Sequence, residues 1–194
     1  MPKVYSQSEK DDIKGRLKEA TRQSLSMNGI KKTTVDSLVK EVNIPKGTFY
    51  LFYKSKEILV FEVLLEFHEI FEKDMKIALS QLDFQHMDVH QLTDFILDFF
   101  LKAKDNPLFQ AITSGELELL TMKLPPDIVN EHFQHDQQML EQILMYIPHQ
   151  EDIDIKALSG AFRDLFMFMF SDCCQDEQSL KMLIQGLVLQ FLKQ

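Results

Sequence analysis

Three features of this 194-residue chain predict an all-α fold. Apolar residues recur at three- and four-residue spacing along most of its length, the period of a helix with one buried face. No stretch shows the period-two alternation of a half-buried strand. Capping and stop signals divide these runs into about nine helices. Internal repeats and low-complexity tracts are absent from the sequence.

Taken in order, residues 1–8 read as a loose arm, and Ser6-Gln7-Ser8-Glu9 has the spacing of a capping box that starts the first helix. Ile13, Leu17, Ala20 and Leu25, joined by Thr21 and Ser24, form its inward face. Lys10, Lys14, Lys18 and Arg22 lie on the other side and read as solvated. Asn28-Gly29 ends it as a glycine cap.

Val35, Leu38, Val39 and Val42 then make one stripe on a short helix, capped by Thr33 or Thr34 with Asp36 or Ser37 near the capping-box position. Asn43 stops that helix, because Asn tolerates the left-handed conformation. Ile44 plugs the turn, Pro45 suits the first turn of a second short helix, and Phe49 is that helix's inward anchor. Two short helices joined by a tight turn are a helix-turn-helix.

Ser55 caps a long helix running to about Leu82, with Phe61, Phe67 and Phe71 among its apolar positions. Further helices are expected over about Val89–Lys104, from Pro107 to about Lys123, and from Pro126 to about Ile147, where Pro148 ends the run. The last two, about Ile153–Cys173 and Glu177–Leu192, are apolar nearly all round. Such helices must be buried on every side, so a dimer is expected in which they form a four-helix bundle. Leu158, Phe162, Leu165, Leu180, Ile184, Leu187 and Phe191 are the expected interface, and Gly160 and Gly186 would allow close approach.

The run Thr33–Leu59 resembles the DNA-binding domain of the tetracycline-repressor (TetR) family of bacterial transcription regulators. The matching pieces are Thr33-Thr34-Val35, the core Val42-Asn43-Ile44-Pro45-Lys46-Gly47-Thr48-Phe49-Tyr50, and Tyr53-Lys54-Ser55-Lys56-Glu57-Ile58-Leu59. Asn43 stands where the family usually has Gly, and Tyr53 where it usually has Phe. The resemblance implies a three-helix helix-turn-helix domain at residues 1–56 and a helical effector-binding and dimerisation domain at residues 57–194. It implies a homodimer on double-stranded operator DNA, a repressor released by a small apolar or amphipathic effector. It also puts Lys46, Gly47, Thr48, Tyr50 and Leu51 on the exposed face of the recognition helix. Lys46 would then donate to guanine and the Thr48 methyl pack on a thymine methyl. Tyr50, Lys56 and a Thr33 or Thr34 hydroxyl would hold phosphates.

Net charge of −9 looks wrong for such a partner, but its distribution does not. Residues 1–56 hold twelve Lys/Arg against six Asp/Glu, a net of +6; residues 57–194 hold nine against twenty-four, a net of −15. A basic module fused to an acidic body orients the basic end toward DNA.

After residue 56 come fourteen Phe and eight Met. Most must be core, yet such residues also line adaptable apolar pockets. Phe67, Phe71, Phe99, Phe100, Phe109, Met139, Phe162 and Phe166 are the candidate effector contacts. His132 and His135 have the i, i+3 spacing of two ligands on one helix face, but surface pairs at that spacing are common, and no metal or cofactor is expected. Cys173-Cys174 read as reduced thiols, with a redox switch as the alternative. No Gly-x-Ser-x-Gly elbow, phosphate loop or Cys-x-x-Cys frame marks an enzyme, and Glu116 and Glu118 diverge on their helix. No apolar run approaches the roughly 18 residues of a membrane helix and the N-terminus has no signal core, so a cytoplasmic protein is expected. Two rival readings remain at this point: a ligand or redox sensor with a vestigial helix-turn-helix, and a metalloenzyme using His132 and His135.

Overall fold

Side-chain caps set the starts of the helices Gln7–Lys32, Val35–Val42, Val89–Lys104 and Glu177–Phe191. The computed structural model describes residues 5–84, 86–112, 115–169 and 176–193. Helix α1 (Gln7–Lys32) begins at a complete capping box: Glu9 N–H donates to Ser6 Oγ at 3.3 Å, and Ser6 N–H donates to Glu9 Oε2 at 2.8 Å. Its regular turn breaks at Gly29, whose φ of 74° is open to glycine at little strain. Helix α2 (Val35–Val42) has the same reciprocal cap, made by Thr34 and Ser37. It ends at Asn43 in the left-handed region (φ 55°, ψ 52°), with Ile44 N–H reaching back to Val39 O at 3.0 Å. Helix α3 (Lys46–Phe52) follows, with Phe49 wholly buried beneath it.

Helix α4 (Lys56–Ser80) starts where Ser55 Oγ accepts the Ile58 N–H. Helix α5 (Val89–Lys104) starts at an Asp88–Gln91 capping box. The single helix expected from Pro107 to about Lys123 is instead two, α6 (Pro107–Ile112) and α7 (Glu116–Thr121), giving ten helices among the described residues. Gly115, left-handed at φ 68°, sits at the N-cap of α7 and interrupts the run. Helices α8 (Pro126–Tyr146), α9 (Ile155–Met169) and α10 (Glu177–Phe191) complete the chain, and Asp176 caps the last by accepting two N–H groups. No strand forms among the described residues; one isolated bridge pairs His149 with Leu192. Cys173 and Cys174 lie outside the described residues.

Packing divides the chain into two compact units. The first holds residues 1–72 and 107–124, so α6 and α7 belong with α1–α3 and the start of α4. Its core includes Ile13, Leu17, Leu25, Leu38, Phe49 and Leu59. The second holds residues 73–106 and 125–194, in which α10 packs on α5 and α9, and α8 packs on α9. Leu92, Phe100, Phe162, Leu180, Ile184 and Phe191 are buried there. No described helix is long and apolar enough to cross a membrane.

Candidate nucleic-acid interface

The outward face of the helix-turn-helix is built from few residues. Phe49, buried, anchors α3, and its ring meets Tyr50 edge-on at 5.3 Å. Tyr50 and Leu51 are then left 50% and 67% exposed, as large side chains that face no core. At Gly47 nothing lies within 4 Å of where a Cβ would be, so the backbone of α3 is open there. Lys46, at the first turn of α3, pairs with Asp36 on α2, Nζ lying 2.8 and 3.0 Å from the two carboxylate oxygens. That hydrogen bond raises the lysine pKa and holds its ammonium at the mouth of the helix pair. Lys31, Lys32, Lys40 and Lys54 are also exposed around this face.

Three expected contacts face inward instead. Thr48 is 7% exposed, not on the open face of α3; Tyr5 covers it, with its hydroxyl 3.3 Å from Thr48 Oγ1 and its ring 6.2 Å from that of Phe52. Thr48 and its neighbour Phe49 are the buried residues of this seven-residue helix. Thr33 is fully buried, donating to Gly29 O at 2.9 Å and bonded to Ser24 Oγ at 2.8 Å. Lys56 donates to the carbonyl oxygens of Ile30 (2.9 Å) and Thr33 (2.7 Å), and burial lowers its pKa. Thr34 is exposed, but its hydroxyl is engaged in the α2 cap.

The basic face of α1 is not simply solvated. Lys18 Nζ lies 2.5 Å from Glu62 Oε1 and 2.6 Å from Glu66 Oε1, and Arg22 donates to Glu66 at 2.7 Å. Burial works against the Lys18 charge, but the two carboxylates outweigh it and raise its pKa. Arg16 donates to Val42 O at 3.2 Å, tying α1 to the end of α2. Beside Glu62, the Tyr53 hydroxyl is buried, and that burial first, then the nearby negative charge, pushes its pKa up to about 12.

The candidate effector residues fall into separate groups. Phe109 meets Phe67 and Phe71 edge-on at 5.0 and 5.1 Å in the first unit. In the second, Phe100 meets Phe166 at 5.0 Å, Phe162 meets Phe191 at 6.1 Å, Met139 is buried and Phe99 half-buried. A cleft of about 270 Å³ in the first unit is lined by Leu25, Met27 and Gly29 of α1 and by Pro107, Gln110 and Glu116; none of these eight candidates lines it. His132 pairs with Asp136 at 3.4 Å, whereas His135 is exposed.

The expected interface residues differ in burial. Leu158, Phe162, Leu180, Ile184 and Phe191 are buried within the chain, and Leu165 and Leu187 are half-buried. The apolar surface left exposed on α9 and α10 is Met167, Phe168, Met182, Leu183 and Leu189. Both helices carry two apolar stripes, one packed within the chain and one left exposed.

Described residues that are helical throughout and open on a helix-turn-helix with an exposed second helix, in a basic N-terminal segment, fit a class of DNA-binding regulators. Known proteins narrow that class. The family model described as bacterial regulatory proteins, tetR family, matches residues 17–63. The uncharacterized HTH-type transcriptional regulator YhgD of Bacillus subtilis (strain 168) is 34% identical over 155 residues, covering 78% of this chain and 73% of that protein. Among solved structures, the fatty acid degradation regulator FadR from Bacillus halodurans superposes with a TM-score of 0.61 at 20% identity, over 96% of this chain and 97% of that one. FadR from Bacillus subtilis in complex with stearoyl-CoA gives a TM-score of 0.61 at 19% identity, over 90% and 95%. The chain belongs to the TetR family and is a transcriptional regulator.

Proposed function

We propose that the protein is a homodimeric repressor that binds a two-half-site operator and leaves it when a small amphipathic molecule binds. The observation that carries this reading is the open face of α3: Tyr50 and Leu51 are exposed on a helix held from below by Phe49. Residues 1–56 supply the DNA contacts and residues 57–194 the effector and dimer surfaces. Lys46 and Leu51 read base edges, Gly47 lets the backbone approach, and Tyr50 holds a phosphate. Thr34, once its cap bond rearranges, and the exposed Lys32 and Lys54 add phosphate contacts. Thr33, Thr48 and Lys56 shape the module from within. The effector touches members of the aromatic set, and the stearoyl-CoA complex of Bacillus subtilis FadR makes a long-chain acyl thioester the first probe. The dimer forms through the exposed apolar face of α9 and α10, and the protein works in the cytoplasm without catalysis.

The test is a mobility shift with DNA from upstream of its own coding sequence, repeated with long-chain acyl-CoA. Retardation by the wild type, loss of selectivity in Lys46→Ala and release by the acyl thioester are expected. No retardation of that DNA or of any duplex selected from a random pool would overturn the reading.

A further inference from the structure

The Ile30 peptide is held from both sides by charged groups from distant parts of the chain. Its N–H donates to Glu116 Oε2 at 2.6 Å, and the Lys31 N–H donates to the same oxygen at 3.3 Å. Its carbonyl oxygen accepts from Lys56 Nζ at 2.9 Å, and the same ammonium reaches Thr33 O at 2.7 Å. The carboxylate comes from the first residue of α7, the ammonium from the first residue of α4. Two successive N–H groups aimed at one carboxylate oxygen form a small anion-binding concavity.

Gly29 makes the approach possible twice over. Its φ of 74° turns the following N–H groups outward, and a Cβ there would sit 3.2 Å from Glu116 Oε2. A second tie runs parallel, with Lys123, just after α7, 3.5 Å from Glu57, the residue after Lys56. The segment bracketed in this way, Ile30–Thr33, is the entry to the helix-turn-helix, and Thr34, the cap of α2, follows at once.

We infer that Glu116 is a positioning residue for DNA binding: with Lys56 it clamps the entry to the helix-turn-helix, so that α7 sets the orientation of α2 and α3. The inference rests on the proposed repressor reading. Its consequence is specific. A dimer that engages two half-sites about 34–36 Å apart needs both recognition helices held in register, whereas a single half-site does not.

The experiment uses the full-length protein and a two-half-site duplex selected from a random pool by the wild type, alongside the same duplex with one half-site scrambled. Glu116→Ala is expected to weaken binding to the intact duplex on the order of tenfold, with half-site affinity unchanged. Glu116→Gln, which keeps an acceptor oxygen, should recover most of the loss. Hydrogen exchange at the Ile30 and Lys31 amides should quicken in Glu116→Ala and be largely restored in Glu116→Gln. Equal affinity of Glu116→Ala and wild type for the intact duplex would overturn the inference. So would an equal loss on both duplexes, which marks damage to the helix-turn-helix itself. Wild-type protein that selects no duplex would instead sink the repressor reading, and unchanged amide exchange in Glu116→Ala would then still overturn the clamp.

Discussion

Lys46 and Asp36 face each other across the two helices of the DNA-binding motif, the ammonium 2.8 Å from one carboxylate oxygen and 3.0 Å from the other. On the proposed reading Asp36 does two opposing things: it holds Lys46 in one direction, and it places a negative charge where phosphates would come. Asp36→Asn should raise affinity for duplexes of any sequence, because the repulsion goes and Lys46 is released to pair with a phosphate. The slope of log affinity against log salt should steepen by about 0.9 for each protomer bound, one more phosphate neutralised by each freed Lys46. Discrimination between selected and scrambled duplexes should narrow, since a freed lysine no longer points at one base. Fluorescence anisotropy across a salt series reads all three; an unchanged slope would mean that Lys46 does not exchange Asp36 for DNA.

A second pairing governs α3 from behind. The Tyr5 hydroxyl and Thr48 Oγ1 lie 3.3 Å apart, and the Tyr5 ring flanks Phe52. Tyr5→Phe keeps the ring and loses the hydroxyl, so it should lower stability by about 1 kcal/mol or less. Tyr5→Ala removes the cover as well and should lower the melting temperature further. Thr48→Val, nearly equal in volume, should retain sequence preference, because Thr48 faces the arm and not the bases. Loss of preference in Thr48→Val, measured by selection from a random pool, would return the threonine to the DNA-facing set.

The contrast between Thr48 and Thr34 shows what was legible in the sequence. Caps are local: Ser6 with Glu9 and the left-handed Asn43 depend on residues at most three or four apart and are readable from spacing, whereas for α2 the spacing leaves Thr33 or Thr34 with Asp36 or Ser37, of which the structure uses Thr34 and Ser37. The all-α class and the helix-turn-helix followed from the same short-range signals. Which face of a short helix meets another element is not local. Thr33, Thr48 and Lys56 have the composition of surface contacts, yet Gly29, Tyr5 and the Ile30–Thr33 carbonyls engage them. The single helix expected over Pro107 to about Lys123 passes over Gly115, whose left-handed backbone lets Glu116 start a helix. Glu116 itself gave no sequence signal, because its partner lies 86 positions earlier.

Tyr53 supplies a pH test. Its hydroxyl is buried beside Glu62 and its pKa is pushed up to about 12, against an ordinary value of 10.0. An unfolded chain would ionise this phenol first. Above pH 10 the unfolded state therefore binds fewer protons than the folded state at this site, and stability falls as pH rises. The contribution is fully present below pH 10 and is lost across about pH 10–12. Tyr53→Phe removes the titrating group while keeping the ring that lies tilted against Phe49 at 5.9 Å. It should match the wild type at pH 7–8 and unfold at a higher alkaline midpoint. Circular dichroism against pH, taken as the difference between the two proteins, isolates the contribution of this phenol. Identical alkaline midpoints would show that Tyr53 does not carry the effect.

Assembly can be separated from folding because α10 presents two different apolar stripes. Leu180, Ile184, Val188 and Phe191 are buried, whereas Met182, Leu183 and Leu189 stand 66%, 49% and 46% exposed. Phe191→Ala removes a ring from inside the protomer and should destabilise by about 3–5 kcal/mol, whatever the oligomeric state. Leu183→Glu places a charge where the protomer alone leaves it in water. It should therefore leave the monomer folded, with near-native helical content and a modest change in melting temperature. In a dimer built on this face the same charge meets a dry apolar surface and disfavours association strongly. Light scattering should then give one protomer mass for Leu183→Glu and two for the wild type. DNA binding provides an independent readout, since a monomer grips one half-site: affinity for a two-half-site duplex should fall to that for a single half-site. If Leu183→Glu and Leu189→Glu both remain dimeric with full operator affinity, the partner surface lies elsewhere than on the exposed stripe of α10.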